Sequence, residues 1–166
     1  MNTVSTIGFR AIRNPSSLIN ALLVSPFESD HAVLRHVFSQ SNWRLLAAYD
    51  CESALALMSR ELIPVVICGL RGGDWKFLLE VGARLAHPPR LIVSSRVMDE
   101  HLWAEVLNLG GYDVLATPFD PREVFRSVSL AWHSWQREWR SAPVPLKAAL
   151  LPGEDERLVI AHATAS

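Results

Sequence analysis

The chain has little cysteine, almost no net charge and no long apolar run. Of its 166 residues only Cys51 and Cys68 are cysteines. Two are too few for a disulfide framework, and their spacing matches no metal motif. Cys68 closes an apolar run and reads as a small core residue. Cys51 falls at a helix start, where a thiol pKa can be lowered, but no redox role is expected of it. A formal net charge of −1 gives no field to attract nucleic acid or an anionic membrane, so direct contact with either is not expected. No segment approaches the roughly 20 apolar residues needed to cross a bilayer. The stretch up to Ile19 carries Arg10 and Arg13 but no apolar core of a signal peptide, so the expected compartment is the cytoplasm. His31 and His36, five apart, fall on different helix faces and make poor joint metal ligands. No histidine is joined by a Ser or Cys nucleophile and an acid at a recognisable spacing. The expectation is a protein that is not an enzyme and holds neither metal nor cofactor.

What the chain does have is apolar content, 49% of residues, in short runs that alternate with helix-period segments. That alternation is the pattern of a parallel sheet covered on both faces. The apolar runs are 20–24 (NALLV), 44–48 (RLLAA), 64–68 (PVVIC), 91–93 (LIV) and 114–116 (VLA). Between them lie helices expected from Ser29 to Gln40, from Glu52 to Glu61, from an Asp74 cap through Phe77, Leu78, Val81 and Leu85, and from an Asp99 cap to Gly110-Gly111. A last helix opens at Pro121 and reaches about Arg140. Five βα units predict a doubly wound five-stranded sheet of order 2-1-3-4-5, a three-layer sandwich of flavodoxin type. Residues 18–140 form the expected domain, and residues 1–17 and 141–166 are expected to be mobile tails.

The segment from Pro89 to Val124, with its Gly110-Gly111 turn and Thr117-Pro118-Phe119 step, resembles the second half of a response-regulator receiver domain, the CheY-like fold of two-component signalling. The resemblance covers about residues 20–138. It implies a phosphoryl-accepting aspartate at the end of the third strand, an acidic pair after the first for Mg²⁺, a hydroxyl at the end of the fourth, and a lysine before a Pro-Phe pair. Laid on that pattern, the acidic pair is Ser25-Pro26, the acceptor is Leu70, the hydroxyl is Ser94 and the lysine is Thr117. The resemblance also implies a cis bond before Pro118. Each missing electrostatic partner removes on the order of several kcal/mol of stabilisation at a developing phosphoryl charge. The expectation is therefore a degenerate receiver, a pseudo-receiver, that does not take up phosphate.

Three acids lie near these positions. Glu28 and Asp30 suit a helix N-terminus, and Asp74 suits a cap; Asp74 or Asp30 is the candidate for a relocated acceptor. The Arg71-Gly72-Gly73 loop is a candidate anion site, since glycines before a helix can aim backbone N–H groups at a phosphate. This makes a phosphate-containing ligand at the strand C-termini the alternative function. Six tryptophans are present, and Trp132, Trp135 and Trp139 share one face of the last helix. That face is expected to project past the sheet as a contact surface, extended by Trp103 and formed with the neighbouring helix and the fifth strand. Cover by the C-terminal tail is the competing expectation. The 26 residues after Arg140 are expected to be too few for a helix-turn-helix domain. The leading expectation is a phosphorylation-independent regulatory module in a two-component-type phosphorelay, acting through a protein partner or as a homodimer.

Overall fold

A computed structural model describes residues 18–69 and 74–141 of the chain. The expected tails, apart from Ser141, which is helical, lie outside the described residues, as do Leu70, Arg71, Gly72 and Gly73. The strands are β1 (Ile19–Val24), β2 (Trp43–Ala48), β3 (Val65–Cys68), β4 (Arg90–Ser95) and β5 (Asp113–Ala116). The helices are α1 (Glu28–Phe38), α2 (Cys51–Arg60), α3 (Asp74–Ala83), α4 (Glu100–Asn108) and α5 (Pro121–Ser141). All strand pairs are parallel and the order is β2-β1-β3-β4-β5, as the alternation of runs predicts.

Successive strand residues point to opposite sheet faces, and each face has its own core. Leu22, Val24, Val66, Cys68, Leu91 and Val93 meet α2, α3 and α4 through Ala54, Met58, Trp75, Leu78 and Val106. Ala21, Leu23, Val65, Ile67, Ile92 and Leu115 meet α1 and α5 through Leu34, Phe38, Val124, Val128 and Ala131. Burial on both sides is why these runs are continuously apolar rather than alternating. In α3 the buried positions are Trp75, Leu78 and Gly82, spaced by three and four. Phe77, expected on the core stripe, is turned outward and exposed.

The helix ends follow from local chemistry. The Asp50 carboxylate accepts from the Ser53 N–H (2.8 Å) and Asp99 from the Leu102 N–H (2.6 Å). Asp120 accepts from the N–H groups of Arg122 and Glu123, with Pro121 at the first helical position. At the end of α4 the Gly111 N–H donates to Val106 O (2.8 Å) and the Gly110 N–H to Leu107 O (3.2 Å), the paired bonds of a Schellman turn. Gly110 takes φ +98°, and a Cβ on Gly111 would fall 2.4 Å from Val106 Cγ1, so both glycines are required.

The last helix corrects the expectation of a free aromatic stripe. Its 21 residues span about 30 Å at 1.5 Å per residue, longer than any strand beneath it. The overhang is covered from within the domain. Trp132 meets Trp43 edge-on with centroids 6.2 Å apart, and Trp135 is only 3% exposed. Trp135 and Trp139 lie 4.9 Å apart, Trp139 rests on His87 at 3.4 Å, and Glu138 pairs with Arg90. Burial at this contact lowers the His87 pKa. Because the unfolded chain then binds the proton more readily, the contact's contribution is complete above the ordinary histidine value and is lost as pH falls through the folded value. A His87→Gln variant is expected to flatten the pH dependence of stability in that window. Trp135→Ala is expected to lose about 3–5 kcal/mol by urea denaturation, whereas Trp103→Ala should stay within about 0.5 kcal/mol of wild type.

Candidate functional site

In open parallel sheets, ligands bind at the carboxyl ends of the strands where the order reverses, here between β1 and β3. The backbone brings Ser25, Gly69 and Thr117 to that edge. The Ser25 N–H donates to Ala48 O (3.0 Å), the Gly69 N–H to Val24 O (2.8 Å) and the Thr117 N–H to Ser95 O (2.9 Å). Gly69, Ser94 and Thr117 border a cleft of about 480 Å³ whose walls include Phe27, Asp30, Trp75 and Arg96. The Thr117–Pro118 bond is cis, as the resemblance implies.

Ser25 is fully buried and fully engaged. Its hydroxyl donates to Asp30 Oδ2 (2.7 Å) and accepts from the Phe27 N–H (3.2 Å), and its carbonyl accepts from His31 Nε2 (2.8 Å). Asp30 stands in the first turn of α1, as expected of a helix-terminus acid, and also lines the cleft, with 7% exposure. Pro26 turns out to solvent. Glu28 is exposed, and the Tyr49 hydroxyl and then Arg35 hold its carboxyl below the usual range.

Register decides which residue faces the two hydroxyls. Val24 aligns with Cys68 and Cys68 with Val93, so Gly69 follows β3 between Ser25 and Ser94. A Cβ at Gly69 would lie 2.7 Å from Ser94 Oγ and 3.7 Å from Ser25 Oγ. Gly69 therefore stands at the sheet edge between the two hydroxyls, while Leu70, expected at the acceptor position, lies outside the described residues. Ser94 is 6% exposed, and its buried Oγ has no hydrogen-bond partner.

Two further cations line the cleft, Lys76 and Arg96. Lys76 pairs with Glu105 and stands 5.5 Å over the Trp75 ring. Arg96 lies 4.3 Å over the Phe27 ring. Helix period alone would have found Trp75, three residues before the buried Leu78; the pairing of Lys76 with Glu105, on different helices, has no local signal.

A magnesium ion requires several hard oxygen ligands. Of the two carboxylates lining the cleft, Asp30 gives Oδ2 to Ser25 and Glu105 is paired with Lys76. Among the described residues no three His, Cys, Asp or Glu side chains cluster as metal ligands do. The residues present do not fit the Mg²⁺ site that the resemblance implies. Cys51, for its part, is no activated thiol: burial, then the charges of Asp74 and Asp50, push its pKa up.

The tryptophans do not form one patch. Ser127 of α5 bonds Asp113 of β5, which marks the flank of α5 nearest β5, whereas Trp132 turns the other way, to Trp43. Trp103 stands 50% exposed on α4, across the sheet from that contact. Leu130, one turn beyond Ser127, is the exposed apolar residue on the β5 flank. Of the residues expected at the Arg71-Gly72-Gly73 anion site, all lie outside the described residues.

No protein-family model and no curated protein matches the sequence. Solved structures do match. The signal receiver domain of an HD domain-containing protein from Pseudomonas fluorescens Pf-5 superposes with a TM-score of 0.67 at 22% identity, covering 75% of this chain and 94% of that one. A CheY-like receiver domain protein from Methanospirillum hungatei JF-1 gives 0.64 at 17% identity, covering 74% and 99%. A response regulator from Thermotoga maritima gives 0.65 at 15% identity, covering 70% and 98%. The chain has the receiver fold, with the five-stranded parallel sheet of the CheY-like architecture.

Crowding at Gly69 is directly testable. Gly69→Ala is expected to destabilise by about 1–3 kcal/mol through overpacking against Ser94 Oγ. In a Ser94→Ala background the loss should shrink. Equal losses in both backgrounds, by urea denaturation, would contradict the contact.

Proposed function

We propose that this protein is a regulatory module of two-component type, working in the cytoplasm by protein contact and without accepting a phosphoryl group. The observation that carries this reading is Gly69. The residue bracketed by Ser25 and Ser94 has no side chain, and Ser94 Oγ lies within 2.7 Å of where its Cβ would be. Acyl-phosphate chemistry needs a carboxylate nucleophile and a cation to neutralise the product. Here, among the described residues, the one cleft carboxylate without a cation is tied to Ser25, and the cation expected before Pro118 is Thr117. The titles of the structural neighbours, receivers and response regulators, support the signalling context.

The contact surface in this reading is the flank of α4, β5 and α5 bearing Trp103 and Leu130, in place of the tryptophan stripe. Its partner is another protein or a second copy of the chain. A single exposed tryptophan is the residue type most enriched among contact hot spots, and Leu130 stands half-exposed on the adjoining helix.

Two measurements test the proposal. Adding Mg²⁺ and beryllofluoride is expected to leave the amide resonances of Gly69, Ser94 and Thr117 unmoved; saturable shifts there, or acyl-phosphate labelling abolished by Asp30→Asn or Asp74→Asn, would refute phosphoryl independence. By sedimentation, wild type is expected above the 18.5 kDa monomer mass, falling to it in Trp103→Glu. A wild type that sediments as a monomer excludes the second copy as partner.

A further inference from the structure

We infer that the cleft takes a small acidic ligand without covalent attachment: a phosphate or carboxylate head held by Ser94, Thr117 and Arg96, on an apolar body laid against Phe27 and Trp75. The inference stands on the donors of the cleft and not on the partner surface proposed above.

The first ground is an imbalance of donors and acceptors. A buried hydroxyl is nearly always hydrogen-bonded, since leaving one unpaired costs about 1–3 kcal/mol. Ser94 Oγ is buried, borders the cleft and has no partner. Thr117 also lines the cleft, and no hydrogen bond of its side chain occurs among the described residues. Arg96 forms no ion pair there; its guanidinium has only the Phe27 ring face. A guanidinium carries five N–H donors and no acceptor. The acceptors that would quench these groups are already committed, Asp30 to Ser25 and Glu105 to Lys76. Two hydroxyls and a cation without acceptors are suited to an oxyanion.

The second ground is space. Gly69 contributes no side chain, so nothing of its own competes for the Ser94 hydroxyl. At about 480 Å³ the cleft falls in the range of small-molecule sites, about 300–1,000 Å³, and is far larger than a bare oxyanion. Phe27, Trp75, Val97 and Leu102 supply apolar wall, so the surplus volume fits hydrocarbon or an aromatic ring. The aromatic side chains also favour a flat body through ring contacts.

The test is an NMR titration of the full chain in chelator-treated, magnesium-free buffer, with phenyl phosphate, phenylacetate, inorganic phosphate and benzyl alcohol as probes. Saturable shifts of the Gly69, Ser94 and Thr117 amides and of the Trp75 indole N–H are expected with at least one aromatic acid, and the tighter of the two identifies the head group. Inorganic phosphate should bind at least about tenfold more weakly, and benzyl alcohol should give no saturable shift. Arg96→Gln and Ser94→Ala are each expected to weaken the acid about tenfold or more, the range for a hydrogen bond to a charged group. Arg96 is on the surface, so its variant should retain wild-type thermal stability and remain informative if Ser94→Ala unfolds. Absence of saturation by both acids, equal affinity for benzyl alcohol, or unchanged affinity in Arg96→Gln would overturn the inference. Beryllofluoride with Mg²⁺ in a parallel sample reports on phosphoryl independence separately, so either claim can fail alone.

Discussion

Ser94 Oγ occupies the ground that a side chain on the next strand would need. The hydroxyl lies 2.7 Å from the ideal Cβ of Gly69, closer than two such atoms can rest, and the parallel register of β3 with β4 fixes both residues. A sheet of this kind does not slide to relieve one contact, because its strands are packed on both faces and a shift would disturb every layer. Position 69 and the rotamer of Ser94 are therefore coupled. Three features of the mouth meet at this one close approach: no side chain at Gly69, a buried Ser94 hydroxyl without a partner, and open volume beside it.

A second constraint acts at the opposite end of the sheet. There α5 outruns the strands and is held by aromatic side chains, Trp43 against Trp132 and His87 against Trp139, with Arg90 pairing to Glu138. These partners come from β2, from the turn before β4 and from β4 itself. The helix is thus fastened across three separate elements, none of them adjacent to it in sequence. An aromatic stripe on a long helix suggested a free surface, yet its members serve as cover for the lower rim of the domain.

The architecture was legible because its signals are local and repeated. Continuous apolar runs bounded by helix-period segments specify a doubly wound parallel sheet, and Asp99, Pro121 and Gly110-Gly111 mark helix ends by mechanisms that need only neighbouring residues. The loss of acidic and basic residues around Ser25, Ser94 and Thr117 was legible on the same terms. Other features depend on register or on side chains far apart in sequence. Gly69 takes the position between the hydroxyls because of the alignment at the end of β3, where periodicity gives no help. Asp30 is drawn into the cleft by a hydroxyl five residues earlier, although its spacing alone marks it as an ordinary acid in the first turn of a helix. The cover over Trp132 and Trp139 comes from Trp43 and His87, far away in sequence, which the helix itself does not announce.

The stack of Arg96 on Phe27 joins the loop after β4 to the loop after β1 across the mouth of the cleft. Such a contact at a solvated site is worth only about 0.5–1 kcal/mol, comparable to thermal energy. Side-chain rearrangement of this size takes place in picoseconds to nanoseconds. The contact between the two loops can therefore break and re-form by rotation of the arginine side chain alone, with the backbone at rest.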